Sequence, residues 1–259
     1  MQRVAALYDI HGNLPALEAV LTEVRAADVD AIVVGGDVIP GPMPRECLDL
    51  LNDTGIPTRF IHGNGESSAL EARGGGALAK VPEAFREGIR WSASQLPDEL
   101  VAQIAEWPPT TRLEVDGLGE VLFCHATPHS DTEIFTRLSP VDRIRTIFAG
   151  VEAGVVVCGH THMQFDLAVD ALRIVNAGSV GLPFAPVGAY WLLSGPHIEL
   201  RHTVYDPHVA ATRIRLTSFP GADAFASLVL NPRSEEEMLA TYAKVDAAVG
   251  DSRSPTDSA

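Results

Sequence analysis

Short apolar runs, each cut off by glycine or a polar residue, recur through the first 160 residues: Val4 to Leu7, Ala31 to Val34, Thr58 to Ile61, Val121 to Phe123 and Val155 to Val157. Runs of that length and bounding read as buried strands. Helical stretches separate the first three. Asn13-Leu14-Pro15 starts one, with Asn as N-cap and Pro near the first position, and Leu17, Val20, Leu21 and Val24 then recur at helical spacing to near Ala27. Pro44 opens a second helix through Leu51. Strand, helix, strand, helix, strand predicts a largely parallel sheet with right-handed crossovers. From Glu66 to Trp107 the pattern is helical, broken at Gly74-Gly75-Gly76 and restarted at Pro82. That insertion is expected to cover the sheet, with a lid over a site as the other reading.

Thr111 to Val115 and Glu120 to Cys124 flank Asp116-Gly117, a hairpin signal. Ser139-Pro140 begins a further helix to Ala149. The stretches Phe165 to Val169, Leu172 to Val175, Ala189 to Leu193 and Ile198 to Val204 are expected to form antiparallel strands of a second sheet. After Asp206 the pattern turns helical, punctuated by Pro207, Pro220 and Pro232. The boundaries expected are a main domain over 1–205, a helical extension over 206–250 and a polar, disordered tail over 251–259.

Length and charge narrow this only a little. A chain of 259 residues with 46% hydrophobic and 20% charged residues can bury a substantial core. Nineteen bases against 34 acids leave a net charge of −15, which disfavours nucleic acid and anionic membranes. Cys47, Cys124 and Cys158 lack the paired spacing of a zinc–thiolate site, and their odd count points to reduced thiols. No run reaches the roughly 18 apolar residues of a membrane span. The first strand begins at Arg3, which leaves no room for a signal peptide, so a cytoplasmic location is expected.

The chemistry lies just beyond the apolar runs. They are followed by Asp9-Ile10-His11-Gly12-Asn13, Gly36-Asp37, Gly63-Asn64, Cys124-His125 and Gly159-His160-Thr161-His162. In open α/β sheets ligands gather outside the carboxyl ends of the strands. Five strand ends thus deliver two Asp, one Asn and four His to one edge, which is the donor set of a metal site. Asp9 and His11 are two apart on a stretch expected to be extended, so both side chains can point the same way.

These strings resemble, in order and spacing, the calcineurin-like metallophosphoesterases, whose pattern is Asp-x-His, Gly-Asp, Gly-Asn-His-Asp/Glu, His, Gly-His-x-His. The resemblance spans roughly residues 3 to 205 and implies a two-sheet β-sandwich flanked by helices. It further implies two divalent cations. One would take Asp9, His11, Asp37 and His162, and the other Asp37, Asn64, His125 and His160. Only two carboxylates would then oppose four positive charges, which suits a Lewis acid better than a calcium store. The imidazole-rich shell favours manganese first, with iron, zinc or cobalt also suited.

The resemblance implies hydrolysis of a small phosphate ester by metal-activated water. The runner-up readings are a phosphomonoesterase, including a protein serine/threonine phosphatase, and a metal-bound scaffold akin to the phosphoesterase-like subunit of the retromer coat. Gly65 stands where many members carry a histidine that serves the leaving oxygen. Its absence points to phosphodiesters or activated esters, and Gly65→His is expected to help poor leaving groups if the backbone tolerates it. His129, in the polar loop after His125, is the candidate replacement acid, with solvent exposure weighing as much. Arg45 is a candidate phosphate contact, and Asn176 in Asn176-Ala177-Gly178-Ser179 a candidate substrate or supporting residue. His62, His197, His202 and His208 stay unassigned.

Overall fold

Alternation within the strands decides the layering. In a computed structural model that describes residues 1–252, strand β1 (Val4–Leu7) sends Val4 and Ala6 to one face and Ala5 and Leu7 to the other. Both faces are buried, because β1 lies inside a sheet with a second sheet on one side and helices on the other. Helix α1 (Leu14–Ala26), strand β2 (Ala31–Val34), helix α2 (Pro44–Asn52) and strand β3 (Thr58–Phe60) follow as expected, with Asn13 Oδ1 accepting from the Ala16 amide at the start of α1. Strands β1, β2 and β3 pair in parallel.

Three helices, α3 (Asn64–Arg73), α4 (Glu83–Ser94) and α5 (Asp98–Ala105), fill the insertion. Ala69, Ala93, Leu96 and Ile104 join the core formed by α1, α2 and the outer face of the first sheet, so this insertion covers the sheet. The hairpin β4 (Thr110–Val115) and β5 (Gly119–Cys124) turns through Gly117 at φ +80°. Helix α6 (Val141–Ile147), strand β6 (Val155–Cys158), strand β7 (Phe165–Val169) and strand β8 (Leu172–Asn176) complete a sheet of order β4-β5-β6-β8-β7.

Two expectations need correction here. Strand β8 is not antiparallel to its inner neighbour but runs parallel to β6. Strands β9 (Ala189–Ser194) and β10 (Ile198–Thr203) leave the second sheet altogether, and the first sheet has the order β10-β9-β1-β2-β3. The reason is burial: Trp191 and Leu193 of β9 fill the core under α1, while Leu192 faces the second sheet. The result is a four-layer arrangement in which two five-stranded mixed sheets are packed face to face with helices outside each.

Helices α7 (Pro207–Arg215) and α8 (Ala222–Leu230) pack together over Met43 and Leu14. Helix α9 runs Glu235–Ser252. Residues 251 and 252 therefore belong to a helix, and the rest of the expected disordered tail, from 253, lies outside the described residues. Among the described residues no helix is long and apolar enough to cross a membrane.

Candidate metal centre

Loops leaving the carboxyl ends of five parallel strands, β1, β2 and β3 from one sheet and β5 and β6 from the other, converge on one spot. Asp9, His11, Asp37, Asn64, His125, His160 and His162 all meet there. His11 Nε2 lies 3.2 Å from His162 Nε2, 4.0 Å from Asp9 Oδ1 and 3.8 Å from Asp37 Oδ2. His125 Nε2 lies 3.5 Å from Asp37 Oδ1 and 3.9 Å from Asp9 Oδ1. One amide terminus of Asn64 is 3.2 Å from His125 Nε2 and 3.0 Å from His160 Nδ1.

Three imidazoles are held in one tautomer by backbone carbonyls behind them. His125 Nδ1 donates to Gly35 O at 2.9 Å, His162 Nδ1 to Leu182 O at 2.6 Å and His11 Nδ1 to Pro40 O at 3.3 Å. Each then presents its Nε2 lone pair to the centre, the arrangement of metal-binding histidines. Buried Asp9 Oδ1 has no hydrogen-bond partner among the described residues, although three imidazole nitrogens face it within 4.0 Å. An orphaned buried carboxylate oxygen amid lone pairs is what a divalent cation would satisfy, so these residues fit a metal.

The electrostatics divide the rings: burial opposes protonation of His125 and His162, but Asp37 and Asp9 beside His125, and Asp9 beside His162, hold both above the usual imidazole range. Burial pushes His11 and His160 down to about 3, so both rings are neutral and able to ligate. Burial would raise Asp9, but His162, His125 and His11 around it hold its carboxyl below the usual range. Asp37 rises to about 6, through burial first.

The backbone is contorted to achieve this. Eight non-glycine residues among those described have positive φ, and five of them are Asp9, His11, Asp37, His160 and His162, at +48° to +66°. The expectation that Asp9 and His11 share an extended stretch is thus overturned: both are left-handed, at +52° and +48°. Left-handed non-glycine residues cost roughly 1–2 kcal/mol each and gather at functional sites.

The other candidates fare differently. Asn176 is fully buried, and its Nδ2 donates to Gly159 O (2.6 Å) and Thr161 Oγ1 (3.1 Å) while its Oδ1 accepts from Gly178 N. It therefore braces the loop bearing His160 and His162, and its burial denies it a substrate contact. Arg45 is exposed on α2 and paired with Asp49 at 3.4 Å, making no ion pair or hydrogen bond with the centre among the described residues. His129 is exposed, with Nε2 3.3 Å from Ala149 O, on the wall of a groove of about 420 Å³ that His125, Trp107, Thr127 and Asp131 also line.

Glu66 is a site residue that the sequence reading left without a role. It is fully buried on the first turn of α3. Its Oε2 accepts from Asp37 N (2.8 Å) and Gly63 N (2.9 Å), and its Oε1 from Val38 N (2.9 Å) and Ile39 N (3.3 Å). The signal was present: a glutamate three residues after Gly63 is the N3 position that reaches back to a helix start. Gly65 also gains a reason. Its amide donates to Asp37 Oδ1 at 2.7 Å, and a Cβ there would stand 2.0 Å from Ile39 O. The backbone therefore excludes the histidine that the sequence reading imagined restoring.

A metal-dependent hydrolase of phosphate esters is the class that this fold and donor set define. The chain belongs to the calcineurin-like phosphoesterase superfamily, whose domain model matches residues 2–194. An uncharacterised protein of Methanocaldococcus jannaschii is 27% identical to it over 196 residues, 70% of this chain and 76% of that protein. A hypothetical protein from Pyrococcus horikoshii OT3 superposes with a TM-score of 0.75 at 19% identity, covering 88% of this chain and 98% of its own. A metallophosphoesterase from Sphaerobacter thermophilus superposes at 0.69 and 23% identity, with the same coverage. At those identities the two structures speak for the fold alone.

Proposed function

We propose that the chain hydrolyses a phosphodiester or an activated phosphate ester at two divalent cations held side by side. The observation that carries this reading is Asp37, whose Oδ2 faces His11 while its Oδ1 faces His125. Asp9, His11, Asp37 and His162 would hold one cation, and Asp37, Asn64, His125 and His160 the other. When bound, such cations supply Lewis acidity toward the phosphoryl oxygens and make an attacking water more acidic. Manganese is the preferred ion for this shell, and three unpaired, buried cysteines suit a reducing compartment such as the cytoplasm.

The groove beside His125 supports a substrate with a sizeable second ester group. Its volume of about 420 Å³ falls among small-molecule sites, and among the described residues neither Lys nor Arg lines it. His129, on that wall, is our candidate to give a proton to the departing oxygen, assistance worth roughly 10²–10⁴-fold. Glycine at position 65 removes the donor that many family members carry there, which favours leaving groups that depart with little help wherever His129 does not fill the gap.

The test is a manganese-supplemented panel of monoesters, linear and cyclic diesters and dinucleoside polyphosphates. Diesters and aryl esters should be cleaved well ahead of phosphoserine, and His129→Ala should slow the poorer leaving groups selectively. Protein that binds metal and cleaves nothing in the panel would instead be a scaffold.

A further inference from the structure

Helix α9 lies outside the segment matched by the family domain, yet it reaches the metal centre. Its Met238 and Leu239 are buried against Met163, the residue that follows His162, and Phe184 and Tyr242 pack on the same cluster. Phe184 in turn stacks on the His162 ring, with centroids 5.1 Å apart and planes 19° apart. Tyr242 follows Met238 by four residues and Leu239 by three, so all three share one face of the helix.

Two polar groups here have no oxygen or nitrogen partner among the described residues. The Tyr242 hydroxyl makes no hydrogen bond to any described residue. Arg233, just before α9, has Nη1 3.9 Å from Met238 Sδ and no acidic partner among the described residues. The same neighbourhood shows in the phenol, which burial, and then the Asp9 carboxylate, push up to about 12 while Arg233 pulls it back. Meanwhile no Lys or Arg among the described residues pairs with any of the seven ligands, and Arg45 is engaged with Asp49.

We propose that α9 forms one wall of the catalytic cleft and that Arg233 and Tyr242 bind the non-bridging oxygens of the substrate's phosphoryl group. A guanidinium and a phenol offer directed donors to an anionic phosphate, and charge-assisted bonds of that kind are the strong ones. The inference rests on the phosphoester reading of the same site.

The experiment uses the full chain loaded with manganese, as wild type, Arg233→Gln, Arg233→Lys and Tyr242→Phe. Orthophosphate binding is read by calorimetry, with metal content, melting midpoint and steady-state constants on an aryl phosphodiester alongside. Arg233→Gln and Tyr242→Phe should each weaken orthophosphate about tenfold and raise KM with it, at unchanged metal content and melting midpoint. Arg233→Lys should keep part of the affinity. Orthophosphate affinities within twofold of wild type in both Arg233→Gln and Tyr242→Phe would overturn the proposal, as would loaded wild-type protein that binds no orthophosphate. If loaded wild type binds orthophosphate, both variants weaken it and no ester is cleaved, the wall stands and the hydrolase reading falls.

Discussion

Replacing Glu66 with glutamine changes one atom and should disable the centre. The carboxylate collects four backbone N–H groups, those of Asp37, Val38, Ile39 and Gly63, at 2.8 to 3.3 Å. Glutamine keeps one oxygen and so satisfies two of them, while its NH₂ turns donors toward the other two. A buried donor left unpaired costs about 1–3 kcal/mol, and relief of the buried charge offsets part of that, for a net loss of about 2–4 kcal/mol. In a chain of this size that lowers the melting midpoint by roughly 5–15 °C. The larger effect falls on function. Asp37 faces both groups of donors, and its own amide is among those set adrift. Loss of such a support behind a ligand typically costs about 10–100-fold in metal affinity or activity. Thermal unfolding in chelator isolates the first effect, and manganese titration followed by calorimetry the second. A Glu66→Gln protein that melts within 1 °C, as a rough threshold, of wild type and takes up manganese unchanged would refute the reasoning.

Asp37→Ala should abolish both hydrolysis and cation uptake, since it is the proposed shared ligand; elemental analysis finding two ions with normal turnover would contradict the site. His160→Ala and His162→Ala should each lose one ion's worth of manganese affinity, with far more effect on rate than on melting, and full metal content in both would count against two cations. Gly65→Ala should cost about 1–3 kcal/mol through the clash with Ile39 O and should lower metal loading by displacing Asp37. Gly65→His should be worse and should not rescue poor leaving groups, so a well-folded, faster Gly65→His enzyme would show that the α3 start yields more readily than its contacts imply.

Strand identity was legible wherever an apolar run met glycine or a turn pair, which covers β1, β2, β5, β6 and the hairpin at Asp116-Gly117. Sheet membership was not. Ala189 to Leu193 reads as a strand from its own residues, but its pairing with β1, Val4 opposite Ser194 and Ala5 opposite Leu193, joins positions nearly 190 residues apart. Local pattern carries no register between such distant segments. Glu66 escaped for a related reason. A charged residue on the first turn of a helix reads as solvated, and only the arrival of the loop after β2 turns it into a buried acceptor of four amides. Arg45 was named for its place just beyond the proline loop, and folding engages it with a neighbouring carboxylate; Asn176 was named for its likeness to the family's Asn-Pro-Gly-Ser turn, and of its two readings the supporting one matches the loop it braces.

The left-handed residues of the candidate centre show where its rigidity comes from. Nothing in Asp-Ile-His or His-Thr-His demands positive φ, and propensity alone would leave these residues extended. They are held by the loops binding one another. Asp9 N donates to Gly36 O, His11 N to Asp37 O, and His160 N to Asp9 Oδ2 at 2.8 Å, while Gly159 N reaches His125 O. Each of these bonds joins a loop from one strand to a loop from another, and the bond from His160 N to Asp9 Oδ2 joins one sheet to the other. The donor geometry is therefore a property of the assembled sandwich. It follows that relative motion of the two sheets, more than loss of any one strand, is what the centre should tolerate least, because the residues proposed to hold each cation come from both.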